Sequence, residues 1–249
     1  MNEKVVGNQT ADKKEIMVLF SGGRDSILTV ARLVAEGYKV HLITFDNGCI
    51  KNIAFRDHGA LILTDYYNRD GEEKVIDHGT RDICGIWQML MRGVFNKSFT
   101  ELCGSYKAMS MSQVHCAICK TAMFVSVGLI CQKMGIRKVA SGDKKGDRFA
   151  VQHMPAQQII EDIMKRQFSI EYLRPIWDLH DTFEVKSELT LRGLPSKTIE
   201  PQCVLGCPMD EDDVVSAANL ADDDCAGMLS AILCPIIEQH KEPWRKVLG

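Results

Sequence analysis

The run Ser21-Gly22-Gly23-Arg24-Asp25-Ser26 has the composition of a polyanion site. Two adjacent glycines reach backbone angles closed to other residues, so successive N–H groups can curl around one phosphate. The Ser21 and Ser26 hydroxyls add donors, Arg24 adds positive charge, and Asp25 can orient a metal ion or cap the loop. An apolar segment, Ile16–Phe20, precedes the run, and a helical pattern from about Ser26 to Glu36 follows it. A phosphate there also meets the positive end of a helix dipole. Gly-Gly alone reads as a plain strand-to-helix turn; the flanking serines and the Asp shift the reading to phosphate. The pattern is not the lysine-containing Walker loop.

Sulfur is the second chemical signal: the chain has 10 cysteines in 249 residues. Cys116-Ala-Ile-Cys119 stands just before a helix expected over Thr121–Met134, where a positive helix end would favour thiolates. Cys203 and Cys207 form a later pair flanked by Pro201, Gly206 and Pro208. Two metal readings stay open beside that of ordinary buried thiols. Four thiolates can close a tetrahedral zinc site. Three can hold a [4Fe-4S] cluster with one iron open, and that iron can carry sulfur for transfer. Cys49, Cys84, Cys103, Cys131, Cys225 and Cys234 stand alone, and burial is their default. Lys120 is read as a helix-start lysine that either faces solvent, neutralises phosphate or lowers a neighbouring thiol pKa. Lys144, Lys145 and Arg148 either touch an anionic substrate or decorate a solvated loop.

These groups need a frame. Hydrophobic residues make up 45% and charged residues 25% of the chain, as in ordinary globular domains, and the net charge of -3 excludes a polybasic nucleic-acid binder. Without a run of about 18 apolar residues or a secretory signal, a cytoplasmic location without membrane partners is expected. The organisation expected is a polar leader (1–15), a catalytic domain (16–210) and a helical C-terminal extension (211–249) packed on it. Strands are expected at Ile16–Phe20, Val40–Phe45, Ala60–Asp65, Lys138–Ser141 and Glu171–Arg174. Helices are expected over about Glu72–Phe95, Gln157–Gln167, Asp181–Arg192, Val214–Leu220 and Ala226–Gln239. The alternation implies an α/β fold, a parallel five-stranded sheet with helices on both faces. Ligands of such sheets bind beyond the carboxyl ends of the strands. The loops after Phe20, at Asp46-Asn47-Gly48 and at Gly142-Asp143 all lie there. Asp46 and Asp143 have a plainer reading as turn-formers.

Ser21–Ser26 resembles the SGGxDS signature of the PP-loop ATP pyrophosphatases. That resemblance spans about Ile16–Pro175 and implies an adenine-nucleotide α-hydrolase-like (HUP) fold. It also implies ATP and Mg²⁺ as cofactors, cleavage between the α- and β-phosphates, and transfer of AMP to a substrate oxygen. By the same resemblance, Thr44, Phe45 and Asp46 approach the adenosine, and Ser141-Gly142-Asp143 is a second nucleotide-side loop. The order SGGxDS, CxxC, Gly-Asp loop, Leu173-Arg174-Pro175 and Pro201-Gln202-Cys203 is similar to that of the cluster-dependent tRNA 2-thiocytidine and 2-thiouridine synthetases. In that group CxxC and one distant cysteine hold the cluster, which maps to Cys116, Cys119 and Cys203, with Cys207 as rival. The implied function is ATP-dependent sulfur transfer from a sulfur donor to a tRNA base, with a homodimer possible. The zinc-binding ends and RNA-binding domains of related enzymes are not evident in the sequence. An alternative is a small-molecule ligase acting on a carbonyl acceptor, like the 7-cyano-7-deazaguanine synthases, with structural zinc. A further alternative is a non-catalytic nucleotide binder.

Overall fold

A computed structural model describes residues 14–96, 109–145, 149–199, 201–205 and 223–248. Most of the polar leader, Cys103, Arg148, Cys207, the acidic run 210–213 and the expected helix 214–220 lie outside the described residues.

Strand β1 (Glu15–Leu19) is central, and its buried Ile16, Met17 and Val18 explain its continuous apolar sequence. Helix α1 (Arg24–Ala35) leads to β2 (Lys39–Asp46), and the short strand β3 (Ile50–Lys51) follows. Next come α2 (Phe55–Tyr67), β4 (Val75–Asp82) and α3 (Cys84–Phe95). The long helix α4 (Met111–Met134) starts at an N-cap, Ser110, whose side chain accepts from Gln113 N, and stops at Gly135, φ 74°. Then follow β5 (Lys138–Ser141), α5 (Met154–Ile163), β6 (Glu171–Leu173), α6 (Thr182–Leu191) and β7 (Gln202–Cys203). A helix over 223–228 runs through a π turn, Leu229–Leu233, into α7 (Cys234–Leu248).

The main sheet has five strands in the order β4-β2-β1-β5-β6, all paired in parallel. Chain order reverses between β1 and β5, so the loops leaving these neighbours diverge and open a crevice. Alternate β1 side chains feed two cores. Ile16 and Val18 join α1, α2 and α6 on one face, whereas Met17 joins α3, α4, α5 and α7 on the other. Helix α4 is long and apolar enough to cross a membrane by composition, but 72% of that stretch is buried inside the protein. It is the central helix of the second core.

Two expected elements are corrected. Ala60–Asp65 is not a strand but the middle of α2: Ala60 and Leu63 point inward while Leu61 is 58% exposed, a helical period. The remaining strand is β4, inside the span read as helix. It is a polar edge strand with a bulge opposite Leu42–Thr44, where Gly79 takes φ 71°. Asp181 does cap α6, with a full capping box to Glu184.

Strands β2 and β4 are tied to the start of α2 by one buried cation. Arg56, 0% exposed, donates to both Asp77 carboxylate oxygens at 2.7 and 2.5 Å, to Asp57 at 3.0 Å and to Thr44 Oγ1 at 2.9 Å. Burial would raise the Asp77 pKa, but the Arg56 contacts and the Gly79 amide outweigh it and hold the carboxyl low. Asp77→Ala should therefore destabilise the protein by about 3 kcal/mol, because it strips a buried guanidinium of its main partner. The measurement is a urea midpoint at constant slope, and an unchanged midpoint would contradict the assignment. The folded pKa lies below the unfolded one, so this contribution is present above about pH 4 and lost as pH falls through the folded value.

Candidate active site

The cleft at the β1/β5 divergence has a volume of about 380 Å³ and is walled by Ser21, Gly23, Asp25 and Ser26 on one side. Its other walls include Gly142 and Asp143, then Cys116, Cys119 and Lys120 from α4, and Cys203 from β7. An apolar slot of about 200 Å³ adjoins it, lined by Phe20, Thr44, Phe45, Ile50 and Ile53 among others; Ser21 and Cys203 border both spaces.

Two backbone contacts shape the phosphate loop. Gly22 takes φ 82°, and a Cβ there would stand 2.6 Å from Arg56 Cα. On the far side, a Cβ on Gly142 would stand 3.0 Å from both Asp25 C and Ser26 N. Within the loop, Gly23 N donates to Ser21 Oγ at 3.2 Å, and Ser26 Oγ donates to Gly23 O at 2.8 Å. No side chain caps the N-terminus of α1, so its first amides are left open at the cleft, with Asp25 the acidic residue of that turn.

The other expected residues divide. Thr44 and Phe45 line the apolar slot, but the Thr44 hydroxyl is spent on Phe20 O, to which it donates at 2.5 Å, and on Arg56. Asp46 accepts from Gly48 N at 2.8 Å and lines neither space, so it behaves as a turn-former. Arg24 and Gly22 are also off the cleft wall. Asp25 accepts from Lys144 Nζ at 2.7 Å, and Lys144 is buried rather than solvated. Lys145 is exposed. Arg174 pairs with Glu161 at 2.9 Å, lies over Tyr172 and Trp177, and so closes β6 structurally.

Asp143 is buried and accepts from Lys120 Nζ, from Ser141 Oγ at 2.6 Å and from Tyr172 OH at 2.8 Å, with Gln152 Nε2 at 3.3 Å. Burial alone would raise its pKa, but Lys120 and these hydrogen bonds hold it below the usual carboxylate range. Lys120 is thus neither exposed nor at a helix start.

The thiol reading needs the same correction. Helix α4 begins at Met111, so Cys116 lies in its second turn and Cys119 in its third, beyond the reach of the dipole. Their i, i+3 spacing still puts both on the cleft face. Burial pushes the Cys116 thiol up to about 12, and burial with Cys116 and Cys203 nearby pushes Cys119 up further. In the metal-free protein both are neutral thiols. Cys203 faces them from β7, an exposed residue on a two-residue ribbon whose Ile50↔Cys203 register places it over the cleft. Among the described residues, no three His, Cys, Asp or Glu side chains stand close enough to share one metal ion.

Three residues escaped the sequence reading. His115 lies on the cleft wall with Nε2 3.8 Å from Cys203 Sγ, and burial lowers its pKa. Asn47 Nδ2 donates to Cys119 Sγ at 3.0 Å, while its Oδ1 accepts from Cys49 N at 2.9 Å. Cys49 itself lies within electrostatic range of Cys203 and Cys119. Only the position of Asn47, in a loop beyond a strand end, hinted at its role.

No protein-family model matches this chain, and no curated protein matches it. Among solved structures, the chain resembles a 4-thiouridine synthetase–RNA complex with bound ATP at a TM-score of 0.56 and 15% identity. The match covers 85% of this chain and 53% of that one, so this chain spans about half the length of the synthetase. The fold is therefore that of the synthetase's matched portion, an α/β sheet of the adenine-nucleotide α-hydrolase-like kind. A "predicted subunit of tRNA methyltransferase" from Methanocaldococcus jannaschii also aligns, with a TM-score of 0.42 and 19% identity over 76% of this chain and 96% of that one.

Two outcomes follow from the geometry. Gly142→Ala should weaken ATP binding at least tenfold by calorimetry, because its methyl group would displace the start of α1, whereas the melting temperature falls only modestly. Unaltered affinity would contradict the clamp. In metal-free protein at pH 8, iodoacetamide should modify Cys203 at least ten times faster than Cys116 or Cys119, read by peptide mass spectrometry. Equal rates would contradict the burial of the CxxC pair.

Proposed function

We propose that this chain is a PP-loop enzyme that uses ATP to activate a carbonyl oxygen on a tRNA base and replaces that oxygen with sulfur. The observation that carries the reading is the convergence of the Ser21–Ser26 loop with Cys116, Cys119 and Cys203 on one cleft. The fold shared with an ATP-bound thiouridine synthetase supports the nucleotide half of the proposal.

A carbonyl oxygen is a poor leaving group. The substrate oxygen attacks the α-phosphorus, the bond to the β-phosphate breaks, and pyrophosphate departs onto the loop. A sulfur nucleophile then attacks the activated carbon, the carbon–oxygen bond breaks, and AMP leaves. The uncapped α1 terminus with Ser21, Gly23 and Ser26 receives the pyrophosphate. The apolar slot beside Thr44 and Phe45 has the size and character for a flat base. Asp25 and Asp143 are the described carboxylates on the cleft wall, and Asp25 would face Mg²⁺ at the phosphates.

The donor set suits a thiophilic centre. A single zinc ion would hold sulfurs roughly 3.7 Å apart, at Zn–S distances of about 2.3 Å. Cys207, the fourth thiolate that a closed zinc site would need, lies outside the described residues. Cys116, Cys119 and Cys203 would hold a [4Fe-4S] cluster. Bound there, it would supply a site from which sulfur is transferred.

The test is pyrophosphate release and thionucleoside formation, measured by nucleoside mass spectrometry with unmodified tRNA and anaerobically reconstituted protein. Cys119→Ala should abolish the thionucleoside and lower bound iron and sulfide, while ATP affinity stays within about threefold. Full thionucleoside yield in that variant would overturn the thiol assignment. Tight stoichiometric zinc without iron would favour the ligase reading instead.

A further inference from the structure

Three cysteines reach the cleft on two separate elements, Cys116 and Cys119 on α4 and Cys203 on β7. The loop between β2 and β3 bonds to both elements. Asn47 Nδ2 donates to Cys119 Sγ at 3.0 Å. Two residues on, Cys49 O accepts from Val204 N at 2.9 Å, beside the Ile50↔Cys203 pair.

The amide fits one way round. Asn47 Oδ1 accepts from Cys49 N at 2.9 Å, which leaves the NH₂ end for the sulfur, whereas a flipped amide would set NH₂ against that N–H. The preceding residue is tied down as well: Asp46 O accepts from Ile83 N at 2.8 Å, and Asp46 Oδ1 accepts from Gly48 N at 2.8 Å. Asn47 is 2% exposed and lines neither the cleft nor the apolar slot. It therefore reaches the thiol from behind the wall, where a ligand in either space does not touch it.

We propose that Asn47 is a positioning residue of the thiol centre: its amide fixes the Cys119 sulfur at the cleft wall and, by donating an N–H to that sulfur as a ligand, raises the reduction potential of the bound cluster. This rests on the cluster reading above. A ligating thiolate accepts a hydrogen bond more strongly than a free thiol does. An added electron makes the ligating sulfurs richer still, so the same N–H stabilises the reduced cluster more than the oxidised one. The turn that aims the amide also carries Cys49, whose carbonyl holds β7. One short loop thus orients the helix-borne thiol and seats the strand that brings Cys203 over it.

The experiment compares Asn47→Asp and Asn47→Ala with the wild type, each as the full chain reconstituted anaerobically with iron and sulfide. Asp keeps an oxygen for Cys49 N and removes the N–H donor; Ala is neutral and removes both. In a dye-mediated titration followed by electron paramagnetic resonance, both variants should shift the one-electron equilibrium at least tenfold toward the oxidised cluster, a potential about 59 mV lower. ATP affinity should stay within about twofold. Loss of the cluster from both variants at unchanged ATP affinity would also support the assignment. An unchanged potential in either loaded variant would overturn it, as would ATP affinity that falls along with iron content, the mark of a merely structural role. If the wild type takes up zinc alone, the cluster reading falls, and the Asn47 assignment is read by chelator competition: Asn47→Asp should weaken zinc at least tenfold, as loss of an outer partner of a metal ligand does, and unchanged zinc affinity would overturn it. Wild-type protein that binds neither metal would overturn both.

Discussion

The Ser21–Ser26 loop is pinched between two backbone surfaces, and the site depends on that fit. Gly22 packs on the first turn of α2 at Arg56, and Gly142 packs on the first turn of α1. Neither contact leaves room for a methyl group. The loop is therefore set by main chain against main chain rather than by adaptable side chains, and its amides are fixed before any ligand arrives. The buried Arg56 gives the first surface its rigidity, because it joins α2 to β4 and to Thr44 at the end of β2. Preorganised donors of this kind hold an anion without paying reorganisation at the moment of binding.

Around this rigid loop the cleft is electrically sparse. Burial holds the thiols of Cys116 and Cys119 protonated and disfavours charge on His115, and Lys120 and Asp143 pair with one another. Such a wall is not an open basic surface that attracts any polyanion. The sulfur side is built differently. Cys116 and Cys119 are fixed on a core helix, whereas Cys203 arrives on a ribbon of two short strands. The fixed pair defines the place, and the ribbon residue closes over it.

Much of this was legible in the residues. An apolar pentapeptide followed by Ser-Gly-Gly gave β1, the loop and α1 almost as they stand, and Asp181 marked the start of α6. Ala60-Leu61-Ile62-Leu63 misled because four apolar residues in a row mimic a buried strand, although Leu61 faces solvent and Ile62 is only partly buried. Strand β4 was hidden for the opposite reason: it is a polar edge strand, broken by a glycine bulge, and owes its place to pairing with β2 rather than to its own pattern. The CxxC pair was found, but its electrostatics were misjudged, since the start of α4 lies a turn and a half earlier, at a serine cap. The contacts of Lys120, His115 and Asn47 arise where distant segments meet, and no local spacing announces them.

The central claim is that nucleotide and thiols occupy one cleft. The most direct measurement is the alkylation rate of each cysteine in full-length, metal-free protein with and without ATP, resolved by peptide mass spectrometry. Cys203 and Cys116 should be slowed several-fold by saturating ATP, while Cys234, on α7 and away from the cleft, should react at an unchanged rate. Identical rates at Cys203 and Cys116 with and without bound ATP would contradict the account.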